Sequence, residues 1–127
     1  MHRALVVDDD PLMREIVGEH LRETGLTVEF AADGMEALQA VGEWQFRLIV
    51  TDMFMPNMDG LELIRALRER ASHTPIIGMS AGVSGLDADI PLRAAIAAGA
   101  QQVLRKPISQ TALLAAVHAV LSRRDQD

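Results

Sequence analysis

Short strand-like runs and helical patterns take turns five times along this chain, and that strict alternation leaves few folds open. Strand–helix units in series build a parallel sheet, with right-handed crossovers that place helices on both of its faces. The first run, Ala4 to Val7, is uninterrupted and apolar and stops at Asp8-Asp9-Asp10. Pro11 then suits the first turn of a helix capped by Asp10, because proline lacks only an N–H that has no helical partner there. Leu12, Ile16, Val17 and Leu21 follow at helical spacing, and Thr24-Gly25 ends the pattern.

The later units repeat the scheme. Leu26 to Phe30 alternates apolar and polar residues, and Asp33-Gly34 opens a helix carrying Met35, Leu38 and Val41. Phe46 to Val50 reads as a third strand ending at Thr51-Asp52. Beyond a loop from Met53 to Met58, Asp59-Gly60 starts a helix with Leu61, Ile64 and Leu67 on one face. Pro75 to Met79 is a fourth strand closed by Ser80. Ala81 to Ile90 is small, acidic and loop-like. Pro91 then marks the early turn of an Ala-rich helix that Gly99 ends. Gln102 to Arg105 is a fifth strand, broken by Lys106-Pro107, and Ser109 caps a last helix with Leu113, Leu114, Val117, Val120 and Leu121.

Strand chemistry adds an order. The first, third and fourth runs are nearly all apolar, as strands buried on both faces are, while the second and fifth carry the polar residues of edges. This predicts an α/β fold: a doubly wound, five-stranded parallel sheet in the flavodoxin-like order 2-1-3-4-5, with helices on both faces. A chain of 127 residues has room for one such domain, expected over 1–122, with 123–127 as a polar tail that frays.

Composition narrows the chemistry. With no cysteine the chain has no disulfide, iron–sulfur cluster or thiolate zinc site. Its net charge of −6 works against direct nucleic-acid binding, and no apolar run is long enough to span a membrane. The start Met1-His2-Arg3 leads straight into a strand rather than a secretory leader, so the expected location is the cytoplasm. His2, His20, His73 and His118 are scattered without metal-binding spacing. Trp44 reads as a packing residue near the end of the second helix.

In a doubly wound sheet, ligands bind outside the carboxyl ends of the strands, where the strand order reverses. Asp8-Asp9, Asp52, Ser80 and Lys106 all fall at that rim, from four different strands. Each alone is commonplace: a capped turn, a turn acid, a satisfied hydroxyl, an edge lysine. Their shared location is not. Two carboxylates about 5 Å apart repel by about 3 kcal/mol at an effective dielectric of about 20, so three of them raise their own pKa values or recruit a cation. A hard divalent ion answers that need, and Mg²⁺ suits it best, taking one or two carboxylates and completing its shell with water and phosphate oxygens. A carboxylate beside Mg²⁺ can also act as a nucleophile and form an aspartyl-phosphate, with Ser80 and Lys106 serving the phosphoryl oxygens.

These residues carry a resemblance across essentially the whole chain. Val6-Val7-Asp8-Asp9-Asp10, the stretch from Thr51 through Met55-Pro56 to Asp59-Gly60, Met79-Ser80-Ala81 and Lys106-Pro107-Ile108 together resemble a response-regulator receiver domain of two-component signalling. The resemblance implies a signalling module rather than an enzyme, with Asp52 as phosphoacceptor and Ser80 as switch hydroxyl. Lys106 would contact the phosphoryl group, its bond to Pro107 being commonly cis in the family. Asp8, Asp9, Asp52 and the backbone carbonyl of Phe54 would bind Mg²⁺. It further implies a sensor histidine kinase or histidine phosphotransfer protein as donor, a downstream protein target, and a monomer or phosphorylation-dependent dimer.

Three positions depart from the family pattern. Phe54 stands where many relatives are polar, and its apolar ring is expected to shield the acyl-phosphate from water. Gly82 is a second variable position beside the site. Val103 replaces the Tyr or Phe that usually swings inward, so the signal is expected to run instead through Ala81 to Ile90. Two other readings share parts of this pattern. A phosphorylation-independent pseudo-receiver is disfavoured by the complete set Asp8, Asp9, Asp52, Ser80 and Lys106. A flavodoxin-like cofactor binder would need glycines and hydroxyls after the first strand, where three aspartates repel a phosphate.

Overall fold

Period-two alternation sorts the strand side chains onto two faces, and the computed structural model shows which helices cover each. It describes residues 2–70, 72–81 and 89–126, with 123–126 as backbone only. In chain order the elements are β1 (Arg3–Val7), α1 (Pro11–Arg22), β2 (Thr27–Ala31), α2 (Gly34–Glu43), β3 (Leu48–Asp52), α3 (Gly60–Glu69), β4 (Ile76–Ser80), α4 (Asp89–Ala98), β5 (Gln102–Arg105) and α5 (Gln110–Gln126). All strand pairs are parallel, in the expected order β2-β1-β3-β4-β5.

Ala4, Val6, Leu48, Val50, Ile77 and Met79 point to one face, against Val17 and Leu21 of α1 and Leu113, Val117 and Val120 of α5. Leu5, Val7, Ile49 and Ile76 point to the other, against Ala37 of α2, Leu63, Ile64 and Leu67 of α3, and Ala95 of α4. Each large apolar side chain fully buried this way contributes about 1.5–3 kcal/mol of transfer free energy. β1, β3 and β4 therefore form a rigid centre whose carboxyl ends are fixed in register. No helix among the described residues is long and apolar enough to cross a membrane.

Several details differ from the sequence reading. β3 begins and ends two residues later than Phe46–Val50, because Thr51 and Asp52 stay in the ladder opposite Val7, Gly78 and Met79. Backbone pairing is indifferent to side-chain polarity, so the polar residues did not end the strand. On α1, Val17 and Leu21 are buried while Leu12 is 66% exposed; on α2, Met35 is 56% exposed and the small Ala37 makes the close contact. On α3, Leu63 is fully buried and Leu61 only partly. α5 continues to Gln126, past the expected boundary at 122. Of the loop expected from Ala81 to Ile90, residues 82–88, Gly82 among them, lie outside the described residues, and Asp89 and Ile90 already belong to α4.

One charged side chain of α3 ties two connections together, the one before β4 and the one before β5. Arg68 donates through Nη1 to the carbonyls of Ser72 (2.9 Å) and Thr74 (3.0 Å), and through Nη2 to Gly99 O (2.7 Å) and Gln101 Oε1 (3.1 Å). Gly99 follows α4 at φ +125°, and a Cβ there would lie 2.8 Å from Arg68 Nε, so glycine is required on both counts. Arg68→Ala removes a donor from three backbone carbonyls and from Gln101 Oε1, which keeps its bond from the Ile76 amide. It is expected to destabilise the domain by about 2–3 kcal/mol in urea unfolding, with Arg68→Lys recovering only part.

Candidate functional site

The acidic rim is assembled by strand ends and by the loops that leave them. Asp8 follows β1 and is 1% exposed; its Oδ1 accepts from the Asp10 amide at 3.0 Å. Asp10 caps α1 through the Leu12 amide (2.9 Å), with Pro11 in the first turn as expected. Arg14 reaches back to donate to the Asp8 carbonyl at 2.8 Å. Asp9, between these anchored neighbours, is exposed. Asp52 ends β3 and is 6% exposed.

The loop after Asp52 is held by backbone chemistry. Met53 N–H donates to Met79 O at 2.9 Å and the Gly60 amide to Met53 O at 3.2 Å. A Cβ on Gly60 would lie 2.3 Å from the Asp52 carbonyl, so any other residue would push the loop off the acid it presents. Asn57 adopts φ +68°, a left-handed conformation that asparagine tolerates, and donates to Asp33 Oδ2 at 2.7 Å. Asp33 also caps α2 through Glu36 N–H, and these donors hold its carboxyl below the usual range. The sequence marked Asp33 only as a helix opener. Its tie to Asn57 spans 24 positions and left no local signal.

Lys106 closes the site from the other side. Its amide donates to Ser80 O at 2.9 Å, extending the β4–β5 ladder, and the Lys106-Pro107 bond is cis. Its ammonium lies 3.0 Å from Asp8 Oδ2 and 3.3 Å from Asp52 Oδ2. Carboxylate oxygens of Asp8, Asp9 and Asp52 lie within 4.8 Å of one another, so the triad could hold a metal ion. Ser80 is fully buried at the end of β4, next to the residue paired with Asp52. Phe54 brings its amide to the Asp52 carboxyl and leaves its ring 42% exposed. Thus Asp8, Asp9, Asp52 and Lys106 are brought together as a contact set, with Ser80 and Phe54 at its border.

Charge explains the balance. Burial pushes the Asp52 carboxyl above its ordinary value, and Asp8 adds to this, while Lys106 and the Phe54 amide pull the other way without cancelling it. Burial works to lower the Lys106 ammonium, but its hydrogen bond to Asp8 and the charges of Asp52 and Asp8 prevail and raise it. One lysine therefore offsets a site with more negative charge than it can neutralise, the condition under which a hard cation binds.

An acid whose pKa is raised on folding supplies stability below its unfolded value and loses it as pH rises through its folded one. Ionised Asp52 thus costs the metal-free fold stability at neutral pH. Asp52→Asn, which leaves Lys106 its bond to Asp8, is expected to raise the urea midpoint at about pH 7 in a chelating buffer. The gain should shrink toward about pH 4, and a lower midpoint at neutral pH would contradict the assignment.

Comparison with known proteins agrees with this geometry. Residues 4–118 match the model of the response regulator receiver domain family. The chain is 38% identical over 131 residues to response regulator MprA of Mycobacterium sp. (strain KMS), covering 98% of this chain and 53% of that protein. It is 40% identical over 127 residues to MprA of Mycobacterium ulcerans, covering 95% and 50%. The chain thus spans about half the length of these relatives. Among solved structures, Vibrio cholerae chemotaxis response regulator CheY4 superposes with a TM-score of 0.84 at 33% identity, covering 95% of this chain and 99% of that one. The Francisella response regulator 1452 receiver domain does so at 0.86 and 31%, covering 98% and 99%. With its acidic pocket at the sheet's carboxyl rim, the chain belongs to the receiver-domain family of two-component response regulators, a signalling module rather than an enzyme in the usual sense.

Proposed function

We propose that Asp52 accepts a phosphoryl group from the phosphohistidine of a sensor kinase or phosphotransfer protein. The observation that carries this reading is the convergence of Asp8, Asp9 and Asp52 around the Lys106 ammonium. An Asp52 oxygen attacks phosphorus, the P–N bond to histidine breaks, and the imidazole leaves with its electron pair and takes up a proton. Asp8, Asp9, Asp52 and the Phe54 carbonyl would hold Mg²⁺, which would supply charge compensation for the phosphoryl oxygens. The donor set fits that ion: all oxygen, mostly carboxylate, and under-neutralised without it. Lys106 turns from its two carboxylates to a phosphoryl oxygen, and the Ser80 hydroxyl donates to another.

Phosphorylation then shifts a pre-existing equilibrium between inactive and active forms. Val103, half-buried beside the α4 cluster, carries no ring to rotate, so the change is relayed through packing. The readout face is α4, β5 and α5, where Leu92, Ile96, Leu104 and Ile108 help line a groove of about 430 Å³ suited to a downstream protein. The N-terminal turn of α4 is joined to β5 by the Asp89–Arg105 ion pair, so a change at Lys106 has a short path to that helix.

Intact mass after treatment with acetyl phosphate tests the assignment. Wild type with Mg²⁺ should gain one phosphoryl group, while Asp52→Asn, or wild type in chelator, should gain none. Phosphorylation that persists in Asp52→Asn would refute the acceptor. Phe54 makes a separate expectation, since its amide meets the Asp52 carboxyl and its side chain is apolar. Phe54→Asn should shorten the phosphorylated lifetime by roughly 3- to 10-fold through easier water entry. A longer lifetime would show that the ring does not shield.

A further inference from the structure

The opposite end of the sheet carries a second site whose charge is reversed. There the starts of β1 and β3 and the loop before β4 enclose an open pocket of about 580 Å³. Arg3, Arg47, His2 and His73 line it, and no acidic residue does among the described residues. In a chain of net charge −6, this is the reverse of the average surface. Glu29, which is not part of the wall, reaches Arg3 Nε only at 3.9 Å. Arg47 Nη1 lies 3.0 Å from His2 Nε2, so the guanidinium donates to the imidazole and the donors of the wall are clustered rather than dispersed.

The pocket also has a flat apolar side. Trp44 is 43% exposed, and the Arg3 guanidinium lies over its ring at 4.0 Å from the centroid. A guanidinium stacked on an indole is held in place while its in-plane donors remain suited to an oxyanion. Arg3 Nε is buried and makes no hydrogen bond. Ser72 and Thr74 add hydroxyls to the same wall. Donor-rich cations beside an exposed aromatic face match one ligand class: a planar ring bearing an anionic group. The volume lies within the roughly 300–1,000 Å³ of small-molecule sites and exceeds what a lone inorganic ion fills.

We propose that this pocket binds a nucleoside-phosphate-type ligand, with the phosphate met by Arg3, Arg47 and the two histidines and the base against Trp44. The site is independent of the Asp52 chemistry, from which the length of the strands separates it. Trp44 is the only tryptophan of the chain, so its fluorescence reads the pocket directly. Titration of the metal-free protein with AMP should give a saturable change, at least about tenfold tighter than with adenosine or inorganic phosphate. Arg47→Gln and His73→Glu should each weaken it about tenfold, while Asp52→Asn should match wild type. Retained acetyl-phosphate labelling of Asp52 would show that both pocket variants are folded. No saturable change below about 10 mM AMP, or an equal response to adenosine, would overturn the proposal. So would inorganic phosphate matching AMP, an unchanged response in both variants, or binding of poly-glutamate without AMP, which would make the surface a docking site for acidic protein.

Discussion

Everything at the carboxyl rim depends on one ammonium set against three carboxylates. Lys106 lies 3.0 Å from Asp8 and 3.3 Å from Asp52, and it joins the end of β5 to the ends of β1 and β3. Without it, two buried acids would face each other in a low-dielectric corner with no positive charge to offset their repulsion. With it, a single positive charge still faces three carboxylates, and burial holds the Asp52 carboxyl above its ordinary value. That imbalance is why the acidic triad could hold a cation.

The rest of the domain serves to hold this frustrated arrangement in place. The three central strands are buried on both faces, so their ends cannot shift without disturbing two apolar clusters. The loop after β3 is fixed by main-chain hydrogen bonds, by the Gly60 contact and by the Asn57–Asp33 tie. Rigidity at the centre contrasts with the periphery. α4 is anchored at its carboxyl end through Gly99 and Arg68, and at its other end by the exposed Asp89–Arg105 pair. A helix held firmly at one end and by a solvent-screened pair at the other suits a reporter of chemistry at the rim.

The two ends of the sheet are chemically opposite. Acids gather where the strands finish, and arginines and histidines gather where they begin. A protein of this size thus separates charge along its strand axis, although net charge alone suggests a uniformly acidic surface. The cationic end owes nothing to the phosphoacceptor chemistry. Its residues lie at the start of β1, at the end of α2 and in the connections before β3 and β4.

Alternation of apolar runs and helical patterns was enough to specify the parallel sheet, and the polarity of the second and fifth runs was enough to order it, because burial on two faces leaves a compositional trace. The rim acids were legible for the same reason: strand ends are marked by where apolar residues stop. Helix faces were less legible. Leu12 and Met35 keep helical spacing yet stand in solvent, since periodicity near a helix end does not say whether another element covers it. β3 ran on through Thr51 and Asp52 because ladder hydrogen bonds come from the main chain. Only the tertiary structure decided that Lys106 bridges two acids, that Asp33 holds Asn57, and that Arg3 lies on Trp44. Those contacts join residues from 24 to 98 positions apart, and such distances close through the packing of the whole sheet rather than through any local pattern.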